Sequence, residues 1–244
     1  MRVRLGLNAV SFLALVGLVV VAPFLVSDFH SSDLAFVGAF FIALVGLDVL
    51  VGYSGQISLA HGAFMAIGGY TSAILVADHG WRDIATIPIA GLVAGAAGAL
   101  VGIPALRLSG LYLALVTFGI AVSAFYAGVG GSLYAIGTAF VNPSTFQITT
   151  SIFLVVALVV GGLGTLSGLT AGALFIYYVP RYASSIFHFV ERVFGFDANE
   201  QAPGVPSLVL GVALILLMLI LPTGVGGLLR RLVAPLTSRL YSRS

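Results

Sequence analysis

The chain has 244 residues, of which 60% are hydrophobic and only 7% are charged, and its formal net charge is +2. Soluble domains carry about 25% charged residues, so most of the surface of this protein must face lipid rather than water. The ten basic residues are all Arg and form no basic stripe, which excludes nucleic acid as a partner. The chain has no cysteine, which excludes disulfides, Cys-type zinc sites and thiol nucleophiles.

Long apolar segments predict an all-α integral membrane protein, a polytopic bundle of about eight transmembrane helices, because a span needs about 20 apolar residues. In chain order they run at about 5–26, 34–52, 57–77, 84–106, 111–140, 146–163, 168–189 and 205–222. The first segment is longer than the apolar core of a signal peptide and is predicted to be a retained span. The segments on either side of Gly161–Gly168 are predicted to be two spans or one re-entrant hairpin.

The distribution of arginine predicts the orientation, because Arg is retained on the cytoplasmic side. With the N-terminus inside, seven Arg fall inside and three fall outside: Arg2, Arg4, Arg107, Arg230, Arg231, Arg239 and Arg243 against Arg82, Arg181 and Arg192. We therefore expect both termini in the cytoplasm and residues 78–83 and 190–204 outside. The whole of 1–244 is predicted to be one transmembrane domain, with 223–244 as a cytoplasmic tail.

Four glycines recur at spacings of four, three and four in the fourth segment, at Gly91, Gly95, Gly98 and Gly102. They share one face of a helix. Small residues let helices approach closely in lipid, so the pattern predicts a helix-packing face.

The stretch GYSGQISLAHGAFMAIGGY, residues 52–70, places polar residues where a plain span would carry Leu and Val. Irregular backbone at membrane depth must be buried in protein or line a water-filled cavity, and transporters place broken helices at the substrate site. A substrate pathway at Gln56, Ser58 and His61 is one interpretation. The other is a cytoplasmic turn in which Ser54 and Gln56 cap the next helix.

Two titratable residues lie in these segments. His61 either packs and orients a helix or belongs to a pathway. Asp48 is the only acidic residue inside a predicted span, close to its cytoplasmic end, and proton coupling has no partner residue to support it. A lone His without a neighbouring carboxylate or Cys makes no metal site. We expect no metal and no cofactor.

A second glycine-rich break, GGLGTLSGLTAGAL, covers residues 161–174. It does not match a phosphate-binding loop, and the chain contains no nucleophilic triad or paired carboxylates. The sequence therefore predicts that the chain is not an enzyme and does not hydrolyse ATP itself.

Four stretches taken together resemble a known family: GYSGQISLAHGAFMAIGGYTSAIL, ALRLSGLYLALVTFGIA, VVGGLGTLSGLTAGAL and LPTGVGGLLRRL. In this order they are similar to the branched-chain amino-acid ABC transporter permeases, and more to the LivM-type half than to its partner.

The resemblance implies the permease subunit of an importer in the bacterial plasma (inner) membrane. It also implies a sister permease subunit, two cytoplasmic ATPase subunits and a periplasmic or extracellular substrate-binding protein. The usual substrates of such importers are Leu, Ile and Val, and close relatives carry urea or short amides.

The chain departs from the family after the LYLALVT stretch, where members carry an external loop, a span and a charged cytoplasmic loop that contacts the ATPase. Here the two flanking stretches join near Ile120–Ser123. Arg107 is the one charged residue left in the interior cytoplasmic turns, so we expect it to contact the ATPase and expect the coupling to be weak. The alternatives are a secondary transporter or channel that works without an ATPase, and a shortened paralogue that does not couple.

Overall fold

The computed structural model describes residues 28–102, 111–182, 211–212, 215 and 224–227. Every regular element within these residues is a helix, so the predicted all-α class is confirmed for this part of the chain. The elements are α1 (Asp28–Ser54), α2 (His61–His79), α3 (Asp83–Val101), α4 (Leu111–Thr138), a 3-10 helix (Pro143–Phe146), α5 (Ile148–Gly161) and α6 (Leu166–Arg181).

Three of the described helices are long and apolar enough to cross a membrane, over Asp33–Ser54, Asp83–Val101 and Val116–Thr138. The 14 residues of α5 extend about 21 Å, which is less than a hydrocarbon core of about 30 Å. Helix α5 alone is therefore shorter than the hydrocarbon core, and the 3-10 helix Pro143–Phe146 precedes it. The count of eight spans is not confirmed, and the predicted span 5–26 lies outside the described residues.

The start of the predicted span 57–77 is wrong, because the helix begins only at His61. The chain leaves α1 at Gly55, whose φ of +65° is a left-handed conformation that favours glycine. The residues between Gly55 and His61 form no regular helix. The predicted break is thus a separate segment that precedes α2.

Helix α4 occupies the centre and packs against α1, α2 and α3. Small residues allow these contacts: a Cβ added at Gly131 would lie 1.9 Å from the Met65 carbonyl oxygen, and one at Gly130 would lie 2.6 Å from that of Ala39. Close backbone approach of this kind replaces the hydrophobic effect as the basis of helix association in lipid. The helix is continuous through the predicted join at 120–123.

The glycine face of α3 lies against α4. A Cβ at Gly91 would come within 2.8 Å of the Phe125 ring, one at Gly98 within 2.4 Å of the Ala124 Cβ, and one at Gly102 within 3.1 Å of the Thr117 Cγ2. Gly95 also faces Phe125, at 3.3 Å from its Cβ. All four glycines therefore border the same neighbouring helix.

Helices α5 and α6 form a hairpin that lies along α1. Near the end of α6, Tyr177 donates a hydrogen bond to Asp33, and the Arg181 guanidinium lies 3.9 Å from the same carboxylate. At the turn of the hairpin, the Gly164 N–H donates to Asp48 at 2.9 Å. The hairpin thus covers α1 from Asp33 to Asp48 and turns six residues before α1 ends.

Candidate functional site

The first break begins where α1 ends. The Ser54 hydroxyl donates to the Leu50 carbonyl at 2.6 Å, and it accepts from the Gln56 N–H at 3.3 Å. The Gly55 N–H closes the last turn on the Val51 carbonyl at 2.9 Å. Ser54 and Gln56 therefore terminate α1 and do not cap the next helix, whose N-cap is Ala60 without any side-chain cap.

His61 fixes the depth at which α2 begins. Its Nε2 lies 2.8 Å from the Ala43 carbonyl oxygen, which accepts only, so Nε2 carries the proton. Its Nδ1 lies 3.4 Å from the Ser123 hydroxyl. Ala43 precedes Ser54 by eleven residues, which is about 16 Å along a helix. The start of α2 therefore lies near the middle of the span Asp33–Ser54.

The His61 side chain is fully buried. It contacts α1 and α4 and faces no open surface, so its geometry is that of a residue that orients the start of α2. The pathway role that the sequence left open for His61 has no exposed atom to support it in this conformation.

The first turn of α2 is capped from another helix. The Gly62 N–H donates to the Ser151 hydroxyl at 2.8 Å, and Ser151 lies in the first turn of α5. A Cβ at Gly62 would lie 2.8 Å from that oxygen and 3.3 Å from the Gln147 carbonyl oxygen. A residue larger than glycine would therefore displace the capping group.

The residues of the break itself lie on an open face. Gln56 is exposed, Ser58 is half-buried, and Ile57 and Leu59 are 61% and 56% exposed. The N–H groups of Ile57, Ser58 and Leu59 donate to no acceptor among the residues that the structure describes. The break therefore combines polar and aliphatic side chains with peptide groups that have no acceptor in the described part of the chain.

Lipid cannot cover such a surface, because an unpaired peptide group in hydrocarbon costs several kcal/mol. Residues 55–60 connect the end of α1 at Ser54 with His61 near the middle of the same span. The open face of this segment must therefore meet water or another protein segment. A water-filled cavity at this depth is what a polar solute needs to cross.

Other predicted site residues lie away from the break. The glycines of α3 border α4 and line no part of it. Arg107 lies outside the described residues. Within the described ranges, no three His, Cys, Asp or Glu residues lie close enough together to hold a metal ion.

Two residues of the site were missed by sequence reasoning. Ser123 and Ser151 each place a hydroxyl on the start of α2 from more than 60 positions away. Ser123 is a single serine inside an apolar run, and Ser151 follows Thr149 and Thr150 at the start of one. Polarity within a span was the only available signal, and it does not indicate the partner.

Comparison with known proteins supports the resemblance over the first half of the chain. Residues 32–122 match the model of the family described as "Branched-chain amino acid transport system / permease component". The matched segment is similar to this permease family. It contains most of α1, the first break, α2, α3 and the first part of α4, and it ends at the predicted join.

Two curated relatives are similar to the same part of the chain. The high-affinity branched-chain amino acid transport system permease protein LivM of Escherichia coli is 49% identical over 107 residues, which are 43% of this chain and 25% of that protein. The LivM protein of Salmonella typhimurium is 47% identical over 108 residues, which are 44% and 25% of the two chains. The matched part is thus about a quarter of the length of these relatives. No solved structure matches the chain.

Proposed function

We propose that this chain is a transmembrane permease subunit of an ABC importer for branched-chain or similar small amino acids. The observation that carries the proposal is the open break at 55–60, which lies inside the segment matched by the permease family. A broken helix that begins near mid-membrane is the arrangement in which many transporters bind their substrates.

Gln56 and Ser58 are the residues proposed to line the route. Both lie on the open face, and their side chains supply donors and acceptors that hydrocarbon lacks. Ile57 and Leu59 lie on the same segment and offer aliphatic contact. His61 is buried and so does not line the route in this conformation. Its proposed role is to set the position of the route through its contact with Ala43.

We further propose eight spans in one domain, with both termini in the cytoplasm of a bacterial cell and 223–244 as a tail. The contacts of α6 agree with this topology. Asp33 and Arg181, both assigned to the outside from charge, lie within 3.9 Å of each other. Asp48, near the predicted inner end of its span, contacts the predicted inner turn at Gly164.

The proposed partners are a sister permease subunit, two cytoplasmic ATPase subunits and an external substrate-binding protein. Purification from native membranes, followed by uptake of labelled leucine into proteoliposomes, tests the assignment. We expect an ATP-hydrolysing partner to co-purify. We expect uptake to require ATP on the side of the membrane that carries the cytoplasmic face of the complex. Uptake that follows a proton gradient and ignores ATP would replace the proposal with a secondary transporter.

The join at Ile120–Ser123 leads to a further expectation about coupling. Transmission of force needs contacts that differ between two states, and Arg107 is the one charged residue of the interior cytoplasmic turns. We expect substrate to stimulate the ATPase less with this chain than with a version carrying a family-type loop between Ala121 and Ser123. Equal stimulation by the two versions would show that the loop is dispensable.

A further inference from the structure

The start of α2 is held from two sides. On one side His61 donates to the Ala43 carbonyl of α1, and on the other the Gly62 N–H donates to the Ser151 hydroxyl of α5. Ser151 is 1% exposed, and α2 supplies no side-chain cap of its own. The first turn next to the break therefore depends on a hydroxyl that lies 89 residues further along the chain.

The connection that precedes α5 touches α2 a second time. Phe146 ends the 3-10 helix Pro143–Phe146 and packs against the Tyr134 ring of α4, with ring centroids 5.5 Å apart. A Cβ at Gly69 would lie 3.2 Å from the Phe146 ring. The segment 143–151 thus follows α2 from Gly69 to Gly62, and its contact nearest to the break is the one made by Ser151.

We propose that Ser151 is a positioning residue for transport: its hydroxyl holds the first turn of α2 and thereby sets the geometry of the route at Gln56 and Ser58. This inference rests on the proposed function for its transport consequence only. Without the hydroxyl, the Gly62 N–H is left buried without an acceptor. Loss of a capping hydrogen bond shifts helix equilibria by roughly 2- to 30-fold.

The chain offers a matched control in Ser132. Its side chain is also fully buried, and its hydroxyl lies 2.6 Å from that of Ser72, ten residues along α2 from Gly62. Ser132→Ala also removes a buried serine hydroxyl that bonds to α2, but its partner there is the Ser72 hydroxyl and not a backbone N–H. At that position, however, the backbone of α2 is already held by its own helical hydrogen bonds.

The test measures the accessibility of the break in native membranes that contain the full chain and its co-purifying partners. Because the chain has no native cysteine, Ser58→Cys supplies a single thiol for a charged, membrane-impermeant reagent. We expect Ser151→Ala to raise the labelling rate at position 58 by several-fold, and Ser132→Ala to leave it unchanged. Labelling of a separate Asp83→Cys background, at the first residue of α3, stays constant in both variants and reports correct insertion.

A second pair of variants keeps the test decisive if Ser151→Ala does not insert. Thr and Val have nearly the same shape, so a difference between Ser151→Thr and Ser151→Val reports the hydroxyl alone. We expect Thr to restore the labelling rate of the unsubstituted Ser151 background and Val not to restore it. Equal labelling of position 58 with Thr and Val, or with Ser151→Ala and Ser132→Ala, overturns the proposal.

The transport measurement uses the same positions without the added cysteine. We expect Ser151→Ala and Ser151→Val to lower the maximal rate of leucine uptake about tenfold, with Ser151→Thr and Ser132→Ala close to the original chain. If all four variants lowered the maximal rate of leucine uptake to the same extent, a positioning role for the Ser151 hydroxyl would be contradicted. If the original chain took up no leucine, the proposed function would be contradicted. The labelling comparison does not depend on transport, so it would still decide the role of Ser151.

Discussion

The two glycine-rich breaks of this chain differ in how their peptide groups are hydrogen-bonded. Residues 55–60 leave the N–H groups of three consecutive residues without an acceptor among the described residues and present an open face. In the second break, residues 162–165, the Gly162 N–H donates to the Leu158 carbonyl and the Gly164 N–H donates to the Asp48 carboxylate. Composition is similar in the two breaks, so the difference lies in what surrounds each one.

The second break is closed by three contacts. The Gly164 N–H, at a residue with φ of +72°, donates to Asp48. The Thr165 hydroxyl accepts from the Gly168 N–H at 3.1 Å and caps α6. A Cβ at Gly224 would lie 2.7 Å from the Gly162 backbone, so the segment 224–227 covers the turn. A break with such partners is part of the packing, whereas the open break is the one proposed to line the route.

The largest expected effect is on folding and distinguishes a packed glycine from an open one. A Cβ at Gly161 would lie 2.2 Å from the Gly168 carbonyl oxygen, whereas one at Gly55 meets nothing within 4 Å. We expect Gly161→Ala to cost about 3 kcal/mol through overpacking. Gly55→Ala should cost only about 1 kcal/mol, from its left-handed backbone. Thermal unfolding of the detergent-solubilised protein measures both, and equal losses of stability would contradict the contrast.

The next effect concerns transport. Gln56 in the open break and Leu163 in the closed one are both exposed, but only Gln56 is proposed to face the solute. We expect Gln56→Leu to lower leucine uptake about tenfold, the value of about one hydrogen bond, at an unchanged amount of inserted protein. Leu163→Ala should leave uptake within twofold. Equal uptake by the two variants would remove Gln56 from the route.

The smallest effect separates two roles for Asp48. If its role is to accept from the Gly164 N–H, Asp48→Asn keeps an acceptor oxygen and Asp48→Ala does not. We expect Asp48→Ala to lower stability by about 1 kcal/mol and Asp48→Asn to stay near the original in both stability and uptake. Abolished uptake in Asp48→Asn with intact folding would instead indicate proton coupling.

Sequence patterns predicted the helical class, the position of the first break and the direction of each α3 glycine along one face, because periodicity and polarity are local properties. They did not predict where α2 starts, which depends on hydrogen bonds of His61 and Gly62 with Ala43, Ser123 and Ser151. Partners so distant in the chain leave no periodic signal. The sequence also did not decide whether the segments around Gly161–Gly168 are two spans or one re-entrant hairpin, since the length of α5 is set by packing against α6.

One measurement tests most directly whether the open break meets water inside the membrane. Ile57 and Leu92 are both aliphatic and are 61% and 64% exposed, but Leu92 lies on the span Asp83–Val101 and should face lipid. Each is replaced by cysteine in turn, and the labelling rate with a charged, membrane-impermeant thiol reagent is measured in native membranes from both sides. Because a charged reagent is excluded from hydrocarbon, we expect Ile57→Cys to react from at least one side and Leu92→Cys to react from neither. An Ile57→Cys variant as unreactive as Leu92→Cys would contradict a water-filled route at the break.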